Sequence, residues 1–509
     1  MSVYNLKILI IAAILASSIF TFFKFDNPLK EKLLSRQYPS NLKALTVQSA
    51  NKCQYIPRSI TTASPPGSSA MTWYVRKCPE NTICIGSDGR TEKTAFRTIA
   101  DAIENSPVRE DDIVLISPDV YYEKLSFTGD EQGRPNTKNS VTYKSSVPGQ
   151  YFVVDGSNHP TEPVGITLQQ GVKGITFDGI EVRNWAGYGI NMTVDHWVEP
   201  LWSIENITVR NCRIHHNAND PNVPGYGAGS VGTGGGLFAF LVSNLTIDYC
   251  KFHNNGPAQL AGTGPSHGAY LTGIKDSKVI NNTFYNNGTI NNGTGAKVYN
   301  ASPRNVEVAY NIFARNYDYG FYTENGPSTL GNGTPLPAGD DILIHHNIFY
   351  KNRGDGFGAE TTSRGIKLYN NTFYKNNEGI RIARNSETTS IDIKNNILYN
   401  DGVTITISPE GEIGSFDYNA YIESSEPTFS YREERTRDPS QVWGFKQWQR
   451  ELGQDTHSLF LSHRQSGITS RARTIFGLKS NSPLIDAGVN VELSCVGRAP
   501  DIGAFEFLP

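Results

Sequence analysis

The chain has 509 residues, 38% of them hydrophobic, with 48 Gly and 27 Pro. That apolar content suffices for a large core, while the Gly and Pro speak for many turns and against a helical protein. A formal net charge of -3 offers no basic excess to neutralise a phosphate backbone, which argues against nucleic acid as a partner.

Between Lys7 and Lys24 stand sixteen uncharged, mostly apolar residues, Ile8 to Phe23. The run is longer than a usual secretory core and slightly short for a membrane span, so residues 1–25 read equally as a cleaved signal or as a signal anchor. Both readings put the rest outside the cytoplasm, whether secreted, periplasmic or at the cell surface, with the membrane touched only through this segment. Residues 26–72 are polar, carry Ser, Thr and Pro clusters, and read as a linker. The folded part is expected from Trp73. In Phe96-Arg-Thr-Ile-Ala-Asp-Ala-Ile103 the apolar residues recur at helical spacing, and Ile113-Val-Leu-Ile116 reads as a buried strand, so 73–125 forms an N-terminal cap and first strand. Six Cys do not make a disulfide scaffold, but Cys78 with Cys84, and Cys53 with Cys495, are candidate pairs, free thiols being the alternative.

From 126 to 425 the chain repeats. Asn281-Asn282-Thr283-Phe284, Tyr310-Asn311-Ile312-Phe313, His346-Asn347-Ile348-Phe349, Asn370-Asn371-Thr372-Phe373 and Asn395-Asn396-Ile397-Leu398 share one pattern, x-Asn-[Ile/Thr]-aromatic or Leu. Cys212 and Cys250 occupy the Asn slot upstream and Asn419 downstream, which makes eight rungs. The shortest spacings, 23 to 25 residues, define a bare coil of about three strands and three turns, and longer ones carry loop insertions. An Asn facing inward at a turn in a left-handed or bridge conformation can bond its own turn and the Asn of the next rung, so a column of them satisfies buried polar groups. Each coil then buries its apolar residues against the coils above and below, the strands about 4.8 Å apart.

A second repeat follows each turn: Gly189-Ile-Asn-Met, Gly268-Ala-Tyr-Leu, Gly295-Ala-Lys-Val, Gly320-Phe-Tyr-Thr, Gly356-Phe-Gly-Ala, Gly379-Ile-Arg-Ile and Gly402-Val-Thr-Ile. Alternation points the second and fourth residues after Gly outward. The second column runs Asn191, Tyr270, Lys297, Tyr322, Gly358, Arg381, Thr404, and the fourth Thr193, Thr272, Tyr299, Glu324, Glu360, Ala383, Thr406.

The stretch from Cys84 to Pro509 resembles the pectate lyase-like family of right-handed parallel β-helix proteins. Gly86-Ser-Asp-Gly89 with Phe96 to Ile103 is similar to that family's N-terminal cap, and Ser482-Pro-Leu-Ile-Asp-Ala-Gly488 with Asp501-Ile-Gly-Ala-Phe-Glu506 to a closing segment of its secreted bacterial members. The resemblance implies an all-β solenoid of about 8–10 rungs with a short capping helix, and 426–509 as C-terminal cap. The family includes lyases, hydrolases, epimerases and structural proteins, so a polysaccharide is the expected partner and the reaction stays open.

Glu324 and Glu360 are expected on adjacent rungs, where stacked like charges repel unless a cation, a shared proton or a substrate intervenes. One reading is an acidic-glycan site: Ca²⁺ on Glu324 and Glu360, Arg381 on a uronate carboxylate, Lys297 as base with Tyr322 or Tyr270 behind it, and Tyr270, Tyr299 and His267 against the sugar. Lyase and epimerase chemistry both need that proton removed alpha to a carboxylate. A salt-bridge ladder without chemistry, on a glycan-binding or structural surface protein, is the alternative. Glycoside hydrolysis would use two carboxylates, but His267-Gly268 stands without the clustered Asp residues of the family's polygalacturonase-like members. His267 also reads as a turn residue. Cys212-Arg-Ile-His215 and Cys250-Lys-Phe-His253 resemble zinc half-sites, yet alternation sends Cys inward and His outward, so no single ion would collect all four. The Gly-rich run from Gly225 to Gly236 reads as an insertion between rungs, since it lacks the Gly-Lys-[Ser/Thr] ending of a phosphate loop. Sequons such as Asn206, Asn244 and Asn332 follow from Asn-Thr turn chemistry.

Overall fold

The structure, a computed structural model, describes residues 70–78, 87–104, 107–128, 139–194, 201–218, 234–256, 266–288, 295–299, 304–324, 340–360, 365–383, 391–399, 401–407, 414–423, 426–431, 441–469 and 476–508. Two units are distinct. The smaller comprises 1–50 and 468–477, and in it Thr469 and Phe476 close a turn through Thr469 N–H to Gly477 O (2.8 Å) and Phe476 N–H to Thr469 O (3.2 Å). The larger, 51–467 and 478–509, holds the β structure.

A complete coil of the larger unit contributes a strand to each of three sheets, and two coils add a second short strand to the first sheet, Ile204–Glu205 and Val242–Ser243. A representative coil is Arg304–Ala309, Ile312–Ala314 and Phe321–Glu324, followed by Asp340–His345, Ile348–Tyr350 and Asp355–Glu360. Every strand pairs in parallel with its counterpart one coil away, from Thr72–Val75 on Ile113–Ile116 to Ala420–Ile422 on Leu459–Leu461. Among the described residues only Phe429–Tyr431 with Gln441–Trp443 runs antiparallel. Parallel pairing thus extends beyond residues 126–425 in both directions. The Gly-rich run is not wholly an insertion: Gly234–Phe240 is a strand of the third sheet, between Tyr188–Thr193 and Ser266–Thr272.

The Asn slot behaves as the repeat implies. Asn282, Asn311, Asn347, Asn371, Asn396 and Asn419 are all buried. From Asn311 onward each Oδ1 accepts both the backbone N–H and the Nδ2–H of the slot one rung before, as Asn347 Oδ1 does from Asn311 N (2.9 Å) and Nδ2 (3.0 Å). Cys250 starts this part of the column by donating its N–H to Asn282 Oδ1 (2.8 Å). The left-handed residue is the one before the slot, with φ of 58° at Tyr310, 53° at His346 and 52° at Asn370, a displacement of one residue from the expected place. Two positions later Phe252, Phe284, Phe313, Phe349 and Phe373 stack with centroids 4.7, 5.1, 5.2 and 4.5 Å apart.

Five residues after each slot a second ladder stands that the sequence reading missed: Asn217, Asn255, Asn287, Asn316, Asn352 and Asn376, closed by Asp401. Two buried amide columns therefore flank the short strands of the second sheet at its two corners. Backbone groups that would be orphaned where the chain bends are paired by side chains of the neighbouring coil.

Buried Asp–Trp pairs close both ends. Asp112 accepts from Trp73 Nε1, Met71 N and Arg109 N, each at 2.7 Å. Asp455 accepts from Trp448 Nε1 (2.8 Å), Tyr421 Oη (2.8 Å) and Asn419 Nδ2 (3.1 Å), which terminates the first ladder. The expected capping helix is Ile99–Glu104, its first amides donating to the Glu123 carboxylate. At the far end the helix Phe445–Leu452 lays Trp448 on Phe429 at 4.6 Å. The C-terminal segment returns along the coils, with Asn370 Nδ2 donating to Asp501 O and Asn395 Nδ2 to Val489 O, both at 2.8 Å.

Cys212 and Cys250 are buried free thiols, while Cys78 and Cys495 are disulfide-bonded; Cys84 and Cys53 lie outside the described residues. Among the described residues no helix is long and apolar enough to cross a membrane, and the apolar run 8–23 lies outside them.

Candidate functional site

The third sheet brings the expected columns together through its register. Tyr270, Lys297, Tyr322, Gly358 and Arg381 are successive Cα partners, and so are Thr272, Tyr299, Glu324, Glu360 and Ala383. Glu324 stands opposite Glu360, and Tyr299 opposite Glu324. The backbones of Lys297, Tyr299, Glu324 and Glu360 are described; their side chains lie outside the described part.

Two positions depart from the expected columns. The strand Val403–Ile407 is shifted by two, so Arg381 faces Thr406 and not Thr404, which is buried. The earlier coil adds Phe238 between Asn191 and Tyr270, and Phe240 between Thr193 and Thr272.

The described side chains form an aromatic row that runs into a charged end. Tyr188 packs on Phe238 at 5.3 Å and Phe238 edge-on to Tyr270 at 5.4 Å, and His267 meets Tyr270 at 4.9 Å. His267 is only 2% exposed and lies inside the row, not on a free turn. Further along, Tyr319 and Tyr322 pack at 4.5 Å over Gly358. A Cβ on Gly358 would lie 2.6 Å from Tyr319 Cε1 and 2.9 Å from Tyr322 Cδ2, so the absent side chain is what lets the rings settle on this rung. Tyr322 is in consequence 6% exposed, which makes it a wall more than a reagent.

Arg381 is more accessible, with 38% of its side chain exposed. Its Nη1 lies 4.0 Å from Asp355 Oδ2, a contact too long for a tight ion pair. Asp355 in turn is the register partner of Glu378, whose Oε2 is buried without a hydrogen-bond partner. Asp355 and Glu378 were not among the expected residues. They precede Gly356 and Gly379, and the Gly is left out of the Cα pairing, which passes from Asp355↔Glu378 directly to Phe357↔Ile380. Strict alternation does not carry through such a Gly. The residue before it joins the neighbourhood of the second position, as His267 with Tyr270 and Tyr319 with Tyr322 also do.

The rejected zinc half-sites are as expected: Cys212 and Cys250 point into the core, while His215 and His253 lie on the outer face of the second sheet.

The profile of the right-handed β-helix region matches residues 153–334. Pectate lyase L of Dickeya chrysanthemi is 25% identical over 341 residues, a match that spans 65% of this chain and 66% of that protein, just under two thirds of its length. The crystal structure of pectate lyase Pel9A superposes with a TM-score of 0.52 at 16% identity, covering 86% of this chain and 97% of that one. With three parallel sheets, two corner ladders and capped ends, the chain is a right-handed parallel β-helix, the fold it shares with that pectate lyase.

Proposed function

We propose that this is an extracytoplasmic polysaccharide-active enzyme, a lyase or epimerase of an acidic glycan. The observation that carries the reading is the register column Tyr270, Lys297, Tyr322, Gly358 and Arg381, with an aromatic row at one end and a guanidinium at the other. The relative named pectate lyase L supports the substrate class.

Aromatic faces such as Tyr270 suit sugar rings, and Arg381, with 38% of its side chain exposed, suits a uronate carboxylate, to which a guanidinium can offer two parallel N–H donors. With that carboxylate neutralised, Lys297 in its neutral form would take the proton alpha to it. The electron pair left behind forms a double bond as the bond to the neighbouring glycosidic oxygen breaks, and that oxygen takes up a proton. Return of a proton to the opposite face instead inverts the centre. Glu324 and Glu360, opposite one another in register, are the hard oxygen donors that would hold Ca²⁺, which would supply further positive charge to the substrate carboxylate. Two carboxylates leave most of a calcium shell to water and substrate.

The test incubates the chain with a panel of uronans, with and without Ca²⁺, and follows ultraviolet absorbance for unsaturated ends and sugar composition for inversion. Lys297→Ala is expected to lower turnover by about 10²- to 10⁴-fold with the circular dichroism unchanged. Arg381→Ala is expected to raise KM more than it lowers kcat. Binding of a uronan with neither product would replace this reading by a glycan-binding surface, for which the half-buried Phe238 and Tyr270 would be the platform.

A further inference from the structure

The outer face of the second sheet carries a cluster of imidazoles that the proposed glycan site does not use. His215 ends the strand Arg213–His215, and His253 ends Lys251–His253 one coil away, the two being Cα partners with rings stacked at 4.6 Å. His216 follows in the left-handed conformation, φ 54°, which turns its ring back so that its Nδ1 lies 2.7 Å from His215 Nδ1. One ligand atom from each of the three lies within 4.8 Å of the others, and His216 is exposed to solvent.

We infer that His215, His216 and His253 form a surface site for one borderline divalent transition-metal ion of the Zn²⁺ class, joining two adjacent coils. Three neutral imidazoles are a ligand set that suits zinc, copper or nickel, and water would complete the shell. Two nitrogens bound to one tetrahedral zinc at about 2.0–2.1 Å stand roughly 3.3 Å apart, so the His215–His216 pair needs only a small opening to admit the ion in place of the proton they now share. Glu181 supplies the outer partner. Its Oε1 lies 3.4 Å from His215 Nε2, which directs that N–H to the carboxylate and leaves Nδ1 facing the site. Arg183 at 2.7 Å and Arg213 at 3.8 Å hold the same carboxylate in place, and Glu181 and Asp155 offset those cations.

A second His pair in the fold shows what is specific here. His345 and His346 share the same Nδ1 to Nδ1 contact at 2.8 Å, with Glu307 on His345 Nε2 at 3.2 Å. Both are buried, however, and the register partners of His345 are Ala309 and Tyr369, so neither adjacent coil adds a third imidazole there. The double-His corner is thus a structural device of this solenoid, which His253 and solvent access convert into a ligand set.

The test is calorimetric titration of the full chain with zinc sulfate in a non-chelating buffer, alongside the variants His216→Ala and His253→Gln and the control His457→Ala. One Zn²⁺ per chain is expected, with a rise in thermal midpoint. Each site variant should lose at least about tenfold in affinity, the scale on which supporting shells act, and the control should be unchanged. Circular dichroism confirms that each variant is folded, and His216, being exposed, tolerates truncation. Absence of binding by the parent chain, or equal binding by parent and both site variants, overturns the assignment. Neither result bears on the uronan test, whose residues lie on the third sheet.

Discussion

Asp401 shows how much a single atom matters at the end of a ladder. Its Oδ1 accepts from Asn376 N (2.7 Å) and Nδ2 (3.0 Å), as an Asn would, but its Oδ2 is buried without a hydrogen-bond partner. Burial pushes the carboxyl well above its ordinary range, and the charge of Glu423 adds to the rise. The folded chain therefore keeps a proton that the unfolded chain releases near pH 4, and stability falls as pH rises above about 4 until the folded carboxyl ionises too. Asp401→Asn continues the ladder and removes the proton. It is expected to stabilise the chain at neutral pH, by about 1.4 kcal/mol for each pH unit between the unfolded and folded titrations of the carboxyl, with no gain at pH 3 where both states are protonated. Denaturant titration at the two pH values checks it, and an equal effect at both would refute the account.

At the scale of the element, the corner is the unit of design, and its two ladders were unequally legible. The first was visible because an Asn-aromatic pattern recurs around it; the second has the same regularity, five residues on, but its neighbours vary from Tyr317 and Arg353 to Asn377, so only the Asn itself repeats. From Gly268 to Gly379 the second and fourth positions after Gly fall into the expected register columns, although Thr272 and Tyr322 are buried. The strands were misread before the Gly, where alternation breaks, and this hid Asp355 and Glu378. The last strand slipped by two because Gly402 is not the register partner of Gly379. Substitution in the second ladder measures what a corner contributes. Asn316 Oδ1 accepts Asn287 N and Nδ2 at 3.1 and 3.2 Å, and its Nδ2 donates to Phe284 O and Asn352 Oδ1 at 3.1 and 3.0 Å. Asn316→Ala leaves those buried groups unpaired and is expected to cost about 2–5 kcal/mol. The amide of Asn287 should then exchange with solvent faster relative to that of Asn396, several coils away, because coupling in a solenoid is between neighbours.

For the whole molecule, the coils stack without a natural end, so each terminus needs a cap. The helix Ile99–Glu104 was legible from its spacing, but the Asp–Trp pairs were not, since Asp112 and Trp73, 39 residues apart, meet only once the first coil has closed. The returning C-terminal segment is the same kind of long-range contact, with Asn370 reaching Asp501 across 131 residues. Within that segment Glu506 accepts the N–H of Val496 (3.1 Å) and of Asp501 (3.2 Å) while burial, reinforced by the Asp501 charge, raises its carboxyl to about 8 from 4.5. A raised carboxyl binds its proton more tightly in the folded state, so the segment's docking should weaken steadily as pH climbs from 4.5 to 8. Glu506→Gln fixes the neutral form and keeps one acceptor. Its thermal midpoint is therefore expected to start slightly below that of the parent chain at pH 5 and to fall less by pH 8; two parallel curves would mean that Glu506 is not the group that titrates.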